Sequence, residues 1–251
     1  PDSPLWQLTL KNSGKLVVVI ADTALVLYGA MELHRPELPD YLARRFEYPS
    51  WFPRGNPDAE RFWTTLNNRL NTDLAAVESV KAVSRAYPES VHLIEWKHPQ
   101  QFQLRDYPEH SILFLGSSSS VPWAASFEKG LNFEHRGTGF DNLQPKPGEP
   151  VRFEGTDRFG QRGVGFARIS IQPKPGSHNL RVIHVASTSW LASEAGMRFL
   201  IDGASLGELD RSAGPGWRRQ DSRTEFILET EALETAAGSS KLRAFRHRQG
   251  R

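Results

Sequence analysis

The sequence predicts a Rossmann-like three-layer α/β domain: an open, mostly parallel sheet with antiparallel strands added and a C-terminal β-hairpin. Three observations predict it. Lys15 to Ile20 (KLVVVI) and Ser111 to Gly116 (SILFLG) are continuous apolar runs of strand length, the mark of strands covered on both faces. Two such runs, the second of these and Leu180 to Ala186 (LRVIHVA), pass through small polar residues into a helix signal, which is the order of a βα unit. Near the end, Thr224 to Leu233 and Lys241 to Arg248 alternate apolar and polar residues, as a hairpin with one wet face does.

The elements follow in order. Leu5 to Lys11 reads as a short helix stopped by Gly14, and KLVVVI as the first central strand. Residues 34–58 carry Pro36, Pro39, Pro49, Pro53 and Pro57 among aromatics, which predicts a loop that packs over something. From Asp58 the apolar positions Phe62, Leu66, Leu70, Leu74, Val77 and Val80 recur at helical spacing and predict one long helix ending at Tyr87-Pro88. Val91 to Trp96 reads as the second strand and SILFLG as the third, with Pro122 opening a helix that ends near Gly130.

Residues 131–160 read as a loop-rich insertion. Leu131 to His135 suits a strand, and GTGFDNLQPKPGEP is turn material. Gly165 to Gln172 and Leu180 to Ala186 are joined too tightly for a helical crossover, so they pair antiparallel or sit apart. Trp190 to Ile201 is an amphipathic helix stopped at Asp202-Gly203, and Gly214 to Arg223 is linker-like. The hairpin spans 224–248, and the whole of 1–251 reads as a single domain.

Composition removes several function classes. The 251 residues contain no cysteine, which excludes disulfides, thiolate metal sites and Cys nucleophiles. Thirty-one basic residues face 29 acidic ones, a balance that predicts no nucleic acid binding through this domain. The local excess Lys241, Arg243, Arg246, Arg248 and Arg251 reads either as a solvated edge strand or frayed tail or as a docking patch for acidic lipid or nucleic acid. No run of 18 apolar residues appears, and PDSPLW lacks the regions of a signal peptide; the start without Met suggests a trimmed chain, which leaves room for an anchor, signal or partner domain upstream. No Walker A, HExxH or EF-hand spacing occurs, so neither a metal nor a cofactor is predicted.

Three predicted strand ends carry polar loops: Asp22 and Thr23; Ser117, Ser118, Ser119 and Ser120; and Ser187, Thr188 and Ser189. Ligands of open parallel sheets bind outside the carboxyl ends of the strands, where helix N-termini also attract anions. The same residue types are ordinary helix caps. Four consecutive serines exceed what a cap requires. A serine nucleophile needs a strained turn and a nearby base; Gly116 precedes the serines, but no second glycine stands at the GxSxG offset, and His92 and His184 fall inside predicted strands. The other histidines, His98 among them, stand singly in loops or at ends, where a solvated ring is ordinary. Glu95 lies near a strand end, and Trp51, Phe52, Trp63 and Trp123 suit either a ligand wall or core.

The order of LWQLTLKNSGKLVVVIADTALVL, FWTTLNNRLNTDLAAVESVKAVSRAYP, SILFLGSSSSVPW and VIHVASTSWLASEAGMRFL resembles an uncharacterised bacterial family of α/β domains. These sit behind a single membrane anchor, often with a helix-turn-helix module on its other side. The likeness covers residues 5–205, with Gly116 to Trp123 and Ser187 to Gly196 as its landmarks. It implies an extracytoplasmic location and the sensor or effector half of an anchored protein, and it implies no reaction. Three readings follow: a sensor-like module taking a small anionic ligand or a protein partner, a hydrolase or transferase at the strand ends, or an interaction scaffold presenting 34–58 and 131–160.

Overall fold

The apolar runs become the middle of a seven-stranded sheet in the computed structural model, which describes residues 2–11, 14–30, 37–43, 51–68, 72, 74–156, 162–233 and 236–249. The strands are β1 (Leu16–Ile20), β2 (Ile94–Lys97), β3 (Ser111–Leu115), β4 (Phe133–Arg136), β5 (Gly139–Asn142), β6 (Arg152–Glu154), β7 (Gly163–Pro173), β8 (Arg181–Ser187), β9 (Ser222–Leu233) and β10 (Ala236–Gln249). The helices are α1 (Thr23–Ala30), α2 (Leu38–Leu42), α3 (Pro57–Asn68), α4 (Leu74–Ala86), α5 (Trp190–Ile201) and α6 (Gly203–Ala213), with a π-helical segment at Trp6–Leu10. Sheet order is β10-β9-β7-β8-β3-β1-β2. β2, β1, β3 and β8 run parallel, and β7 pairs antiparallel with both β8 and β9, so β9 runs with those four and five of the seven strands share one direction.

Strand periodicity explains why these runs are apolar throughout. Leu16 and Val18 of β1 join Leu113, Ile183, Val83 and Met197 in one cluster. Val17 and Val19 join Phe102, Phe114, Phe127 and Val182 in another. Each fully buried aliphatic side chain contributes about 1.5–3 kcal/mol, so alternating contacts on both faces fix the register of β1 against β2 and β3. Leu16 pairs with Ile94 and Ser111, and Ile112 with Val182.

Several boundaries differ from the sequence reading. The long helix is two: α3 and α4 flank Thr72, which is not helical, and residues 69–71 and 73 lie outside the described ones. Val91 to Leu93 belong to a 3-10 segment, Pro88–Leu93, rather than to β2; proline at its first position fits a helical turn, and His92 is exposed instead of buried in a strand. The helix expected after Pro122 is a 3-10 segment, Pro122–Phe127. Of residues 34–58, those at 34–36 and 44–50 lie outside the described ones, and 38–42 form α2. The linker-like stretch contains a 3-10 turn at Pro215–Arg218, and α6 has no counterpart in the sequence reading.

The largest difference lies in the insertion, where β5 and β6 join the expected strand, β4, in a three-stranded antiparallel sheet, β4-β5-β6. Its Gly, Asn and Asp content reads as loop, but Phe133, Phe140 and Phe153 pack on Phe166, Ala186 and Ile227 of the main sheet. That burial outweighs local propensity. Glu225 of β9 accepts the backbone N–H groups of Asn132 at 2.6 Å and Phe133 at 3.0 Å, pinning the start of β4. Of the two arrangements the sequence reading leaves open for β7 and β8, the antiparallel pairing is the one found, and the closing β9–β10 hairpin stands as read.

Candidate functional site

Because β1, β3 and β8 are adjacent and parallel, their carboxyl ends share one edge, and all nine predicted residues lie along it. Their individual positions differ in what they leave free. Asp22 is 1% exposed. One carboxylate oxygen accepts the Ala24 N–H at 2.9 Å, and the other accepts the Tyr41 hydroxyl at 2.8 Å and lies 3.5 Å from His98 Nε2. Asp22 therefore fills the N-terminus of α1 with a carboxylate, leaving no room there for a ligand anion. Tyr41 comes from α2, so the described part of the proline-rich loop does pack over something: the end of β1.

The far side of the edge is also occupied. Thr188 exchanges hydrogen bonds with Phe166 of β7, its Oγ1 accepting the Phe166 N–H at 3.0 Å. A Cβ on Gly155, just after β6, would come within 2.9 Å of Thr188 Cβ, so the insertion rests on this loop. Ser189 caps α5 by accepting the Ala192 N–H at 3.2 Å. Ser187 and Thr23 are half-buried.

Between these covers stands the serine turn at the end of β3. Ser117, Ser118 and Ser119 are half-buried and Ser120 is buried. Ser120 and Val121 donate their N–H groups to the Ser117 carbonyl, and the Ser120 hydroxyl bonds to it as well. Among the described residues nothing accepts the amide N–H of Ser117, Ser118 or Ser119. Consecutive free amides in a turn make an anion-binding concavity. Gly116 enters the turn at φ 129°, where a Cβ would meet Ser120 Oγ at 2.7 Å and Ala21 Cβ at 2.9 Å. Gly116→Ala is expected to cost about 2 kcal/mol, lowering the melting temperature by about 6 °C; an unchanged thermal denaturation curve would contradict this account of the turn.

Beneath the turn runs a buried polar chain that the sequence reading does not contain. The Gly116 carbonyl accepts from His184 Nε2 at 2.7 Å. His184 Nδ1 lies 3.1 Å from an Arg168 nitrogen and so accepts from it. Arg168, 1% exposed, also pairs with Glu128, donates to the Phe133 carbonyl at 2.8 Å, and lies over the Phe140 ring. Burial pulls the Glu128 carboxyl upward, but His184, Arg168 and the Ser118 hydroxyl outweigh it and hold its pKa below the ordinary carboxylate value. Burial, and then the Arg168 charge, push the His184 imidazole down to about 4, so it is neutral at pH 7. With one nitrogen donating to Gly116 and the other accepting from Arg168, His184 has no lone pair for a serine proton.

A charge inside an otherwise apolar strand is the available signal for Arg168, since a buried guanidinium demands partners. Nothing in the sequence points to Glu128 as that partner. Two cations of the basic C-terminal cluster are paired within the fold, Arg243 with Glu229 and Arg246 with Glu149, and Arg248 reaches the Gly130 carbonyl. Glu149 is held down at about 2 by the Arg246 hydrogen bonds. Among the described residues, no group of three His, Asp or Glu side chains could hold a metal ion, and no helix is long and apolar enough to cross a membrane. A cleft of about 640 Å³ lined by Pro173, His178 and Asp221 lies at the opposite edge of the sheet, away from the serine turn.

No protein-family model, curated protein or solved structure matches the chain.

Proposed function

We propose that the chain is a Rossmann-like, ligand-binding, sensor-like domain whose site is the serine turn, the extracytoplasmic part of a membrane-anchored protein. The observation that carries the binding site is the gap in the carboxyl edge: α2 covers the end of β1, the insertion covers the end of β8, and Ser117 to Ser119 stand between them with three unpaired amides. Ligands of parallel sheets bind at this edge. Donor groups dominate the turn, which favours a ligand with an anionic or acceptor-rich group. Asp22, Thr188 and Ser189 act as supports of this site rather than as its contacts.

The Ser118 hydroxyl beside the Glu128 carboxylate, which it helps to hold below the ordinary carboxylate pKa, is what favours the rival reading, a hydrolase or transferase. A carboxylate held below its ordinary pKa and shared with Arg168 is a weak base. Binding is therefore the better-supported role.

The test is a thermal-shift screen of the chain against anions, nucleotides, sugars, amino acids and peptides, repeated with Ser118→Ala and Ser119→Ala. A rise confined to one compound class and lost in both variants is expected. No rise from any compound sinks the serine-turn site; a rise untouched by both alanine variants excludes the hydroxyls as contacts, and one that also survives Ser119→Pro, which removes a backbone N–H, sinks the site; turnover of a bound compound would move the reading to an enzyme.

A further inference from the structure

One end of the molecule gathers positive charge that the fold leaves unmatched. β9 starts and β10 finishes there, Ser222 beside Gln249, and β4 starts beside the finish of β5, Phe133 beside Asn142. Glu225 ties the two sheets together at this end by accepting the N–H groups of Asn132 and Phe133. Arg223 and Arg248 face each other directly across β9 and β10, where like charges repel. Both guanidiniums turn to the same loop: Arg223 donates to the Lys129 carbonyl at 3.2 Å and Arg248 to that of Gly130 at 3.4 Å. Lys129 is itself exposed, and so is Lys146, whose Nζ donates to the Phe245 carbonyl of β10 at 3.2 Å. None of these four cations makes an ion pair among the described residues. The carboxylates nearby are engaged elsewhere: Glu149 with Arg246, Glu128 with Arg168, Asp221 with Arg219, and Glu225 with its two amides.

Two aliphatic side chains stand out at the same end. Leu143 is 56% exposed and Val151 is 74% exposed. Leu143 donates its N–H to the Asn132 carbonyl at 3.0 Å, close to Gly130 in the chain, and Val151 accepts the Asn142 N–H at 2.8 Å. The tip that carries them is stiffened by Pro145, Pro147 and Pro150, and Glu149 accepts the Lys146 N–H at 3.0 Å. We infer that this end of the molecule docks on an anionic membrane surface. Headgroup phosphates would meet Lys129, Lys146, Arg223 and Arg248, and the acyl boundary would receive Leu143 and Val151; attraction to anionic lipid and buried apolar area add in such binding. A second copy of the chain is the wrong occupant, because it would bring the same four cations together. An acidic peptide or a nucleic acid would satisfy the cations but leave the two aliphatic side chains in water.

The test is co-sedimentation of the full chain with vesicles of phosphatidylcholine alone and of phosphatidylcholine mixed with phosphatidylglycerol. Binding to the mixed vesicles alone is expected, and it should weaken as salt is raised. Each cation near such a surface strengthens binding about fivefold, so Arg223→Gln combined with Arg248→Gln should weaken it about 25-fold. Leu143→Ser combined with Val151→Ser should weaken it about tenfold through lost apolar burial. Lys241→Gln removes an exposed cation roughly 20 Å back along β10 and should leave binding within about twofold of the parent. Neither double variant threatens the fold: the first relieves two opposed charges and the second exchanges exposed side chains, so melting temperatures should stay at or above the parental value. Equal binding to neutral vesicles, binding to neither, binding unchanged in either double variant, or a loss in Lys241→Gln as large as in the arginine variant would overturn the assignment. Poly-glutamate bound in place of vesicles, and released by the arginine variant, would make the partner an acidic protein and overturn it too.

Discussion

Replacing Arg168 by methionine is expected to cost about 3–5 kcal/mol, because it leaves the Glu128 carboxylate without its partner. On a chain of this length that corresponds to a fall of about 10 °C in melting temperature. Three groups lose their donor at once: Glu128, the Nδ1 of His184 and the Phe133 carbonyl. The first and third belong to segments that reach the sheet from elsewhere in the chain, so the loss should spread from β7 to the serine turn and to β4. The discriminating measurement is a double-mutant cycle with Glu128→Gln. A buried pair removed as a pair costs far less than half of it, since no uncompensated charge remains. Arg168→Met with Glu128→Gln should therefore be more stable than Arg168→Met alone. If the two losses simply add, Arg168 and Glu128 do not act as a pair, and the turn is not built on them.

How much of this is legible in the sequence follows from the range of each interaction. β1, β3 and β8 declare themselves because burial on both faces makes every residue of a strand apolar, a local signal that needs no knowledge of neighbours. That these three are adjacent is only conditional at that level, for strand order depends on contacts far apart in the chain. Connection length rules out a helical crossover between β7 and β8 but leaves open whether they pair or sit apart, and the long-range contacts of the sheet decide for antiparallel pairing. The insertion misleads because Gly139 to Asn142 owes its strand to Phe140 packing on Phe153 and on the main sheet, which no local preference records. Capping by Asp22 and Ser189 is one of the two alternatives their residue types allow, and both residues do cap. His98 reads as a solvated loop histidine but is buried beside Asp22, because α2 closes over the end of β1.

Acidification offers the second large effect, and its sign follows from His184. The imidazole has an ordinary pKa of 6.5 when the chain is unfolded and one of about 4 in the fold, where burial and the Arg168 guanidinium oppose its charge. Between those values the unfolded chain holds a proton that the native state does not, so stability rises with pH across this window. The contribution is complete above about pH 6.5 and is lost as pH falls toward 4, amounting to roughly 3 kcal/mol over the whole window. Glu128 and Glu149, both held below the ordinary carboxylate range, lose their contributions only as pH falls below 4.5. His110, lowered chiefly by burial and facing Glu95, acts in the same direction as His184 but is partly exposed and so counts for less. Denaturant unfolding at about pH 7, 6 and 5 should therefore show a decline that His184→Gln largely removes, even though that variant starts from a lower stability through the loss of its two hydrogen bonds. A variant that keeps the full decline would assign the pH dependence to other groups and would mean that His184 takes up a proton in the fold. In that event its Nδ1 could no longer accept from Arg168, and the chain of contacts beneath the serine turn would have to run from Arg168 through Glu128 alone.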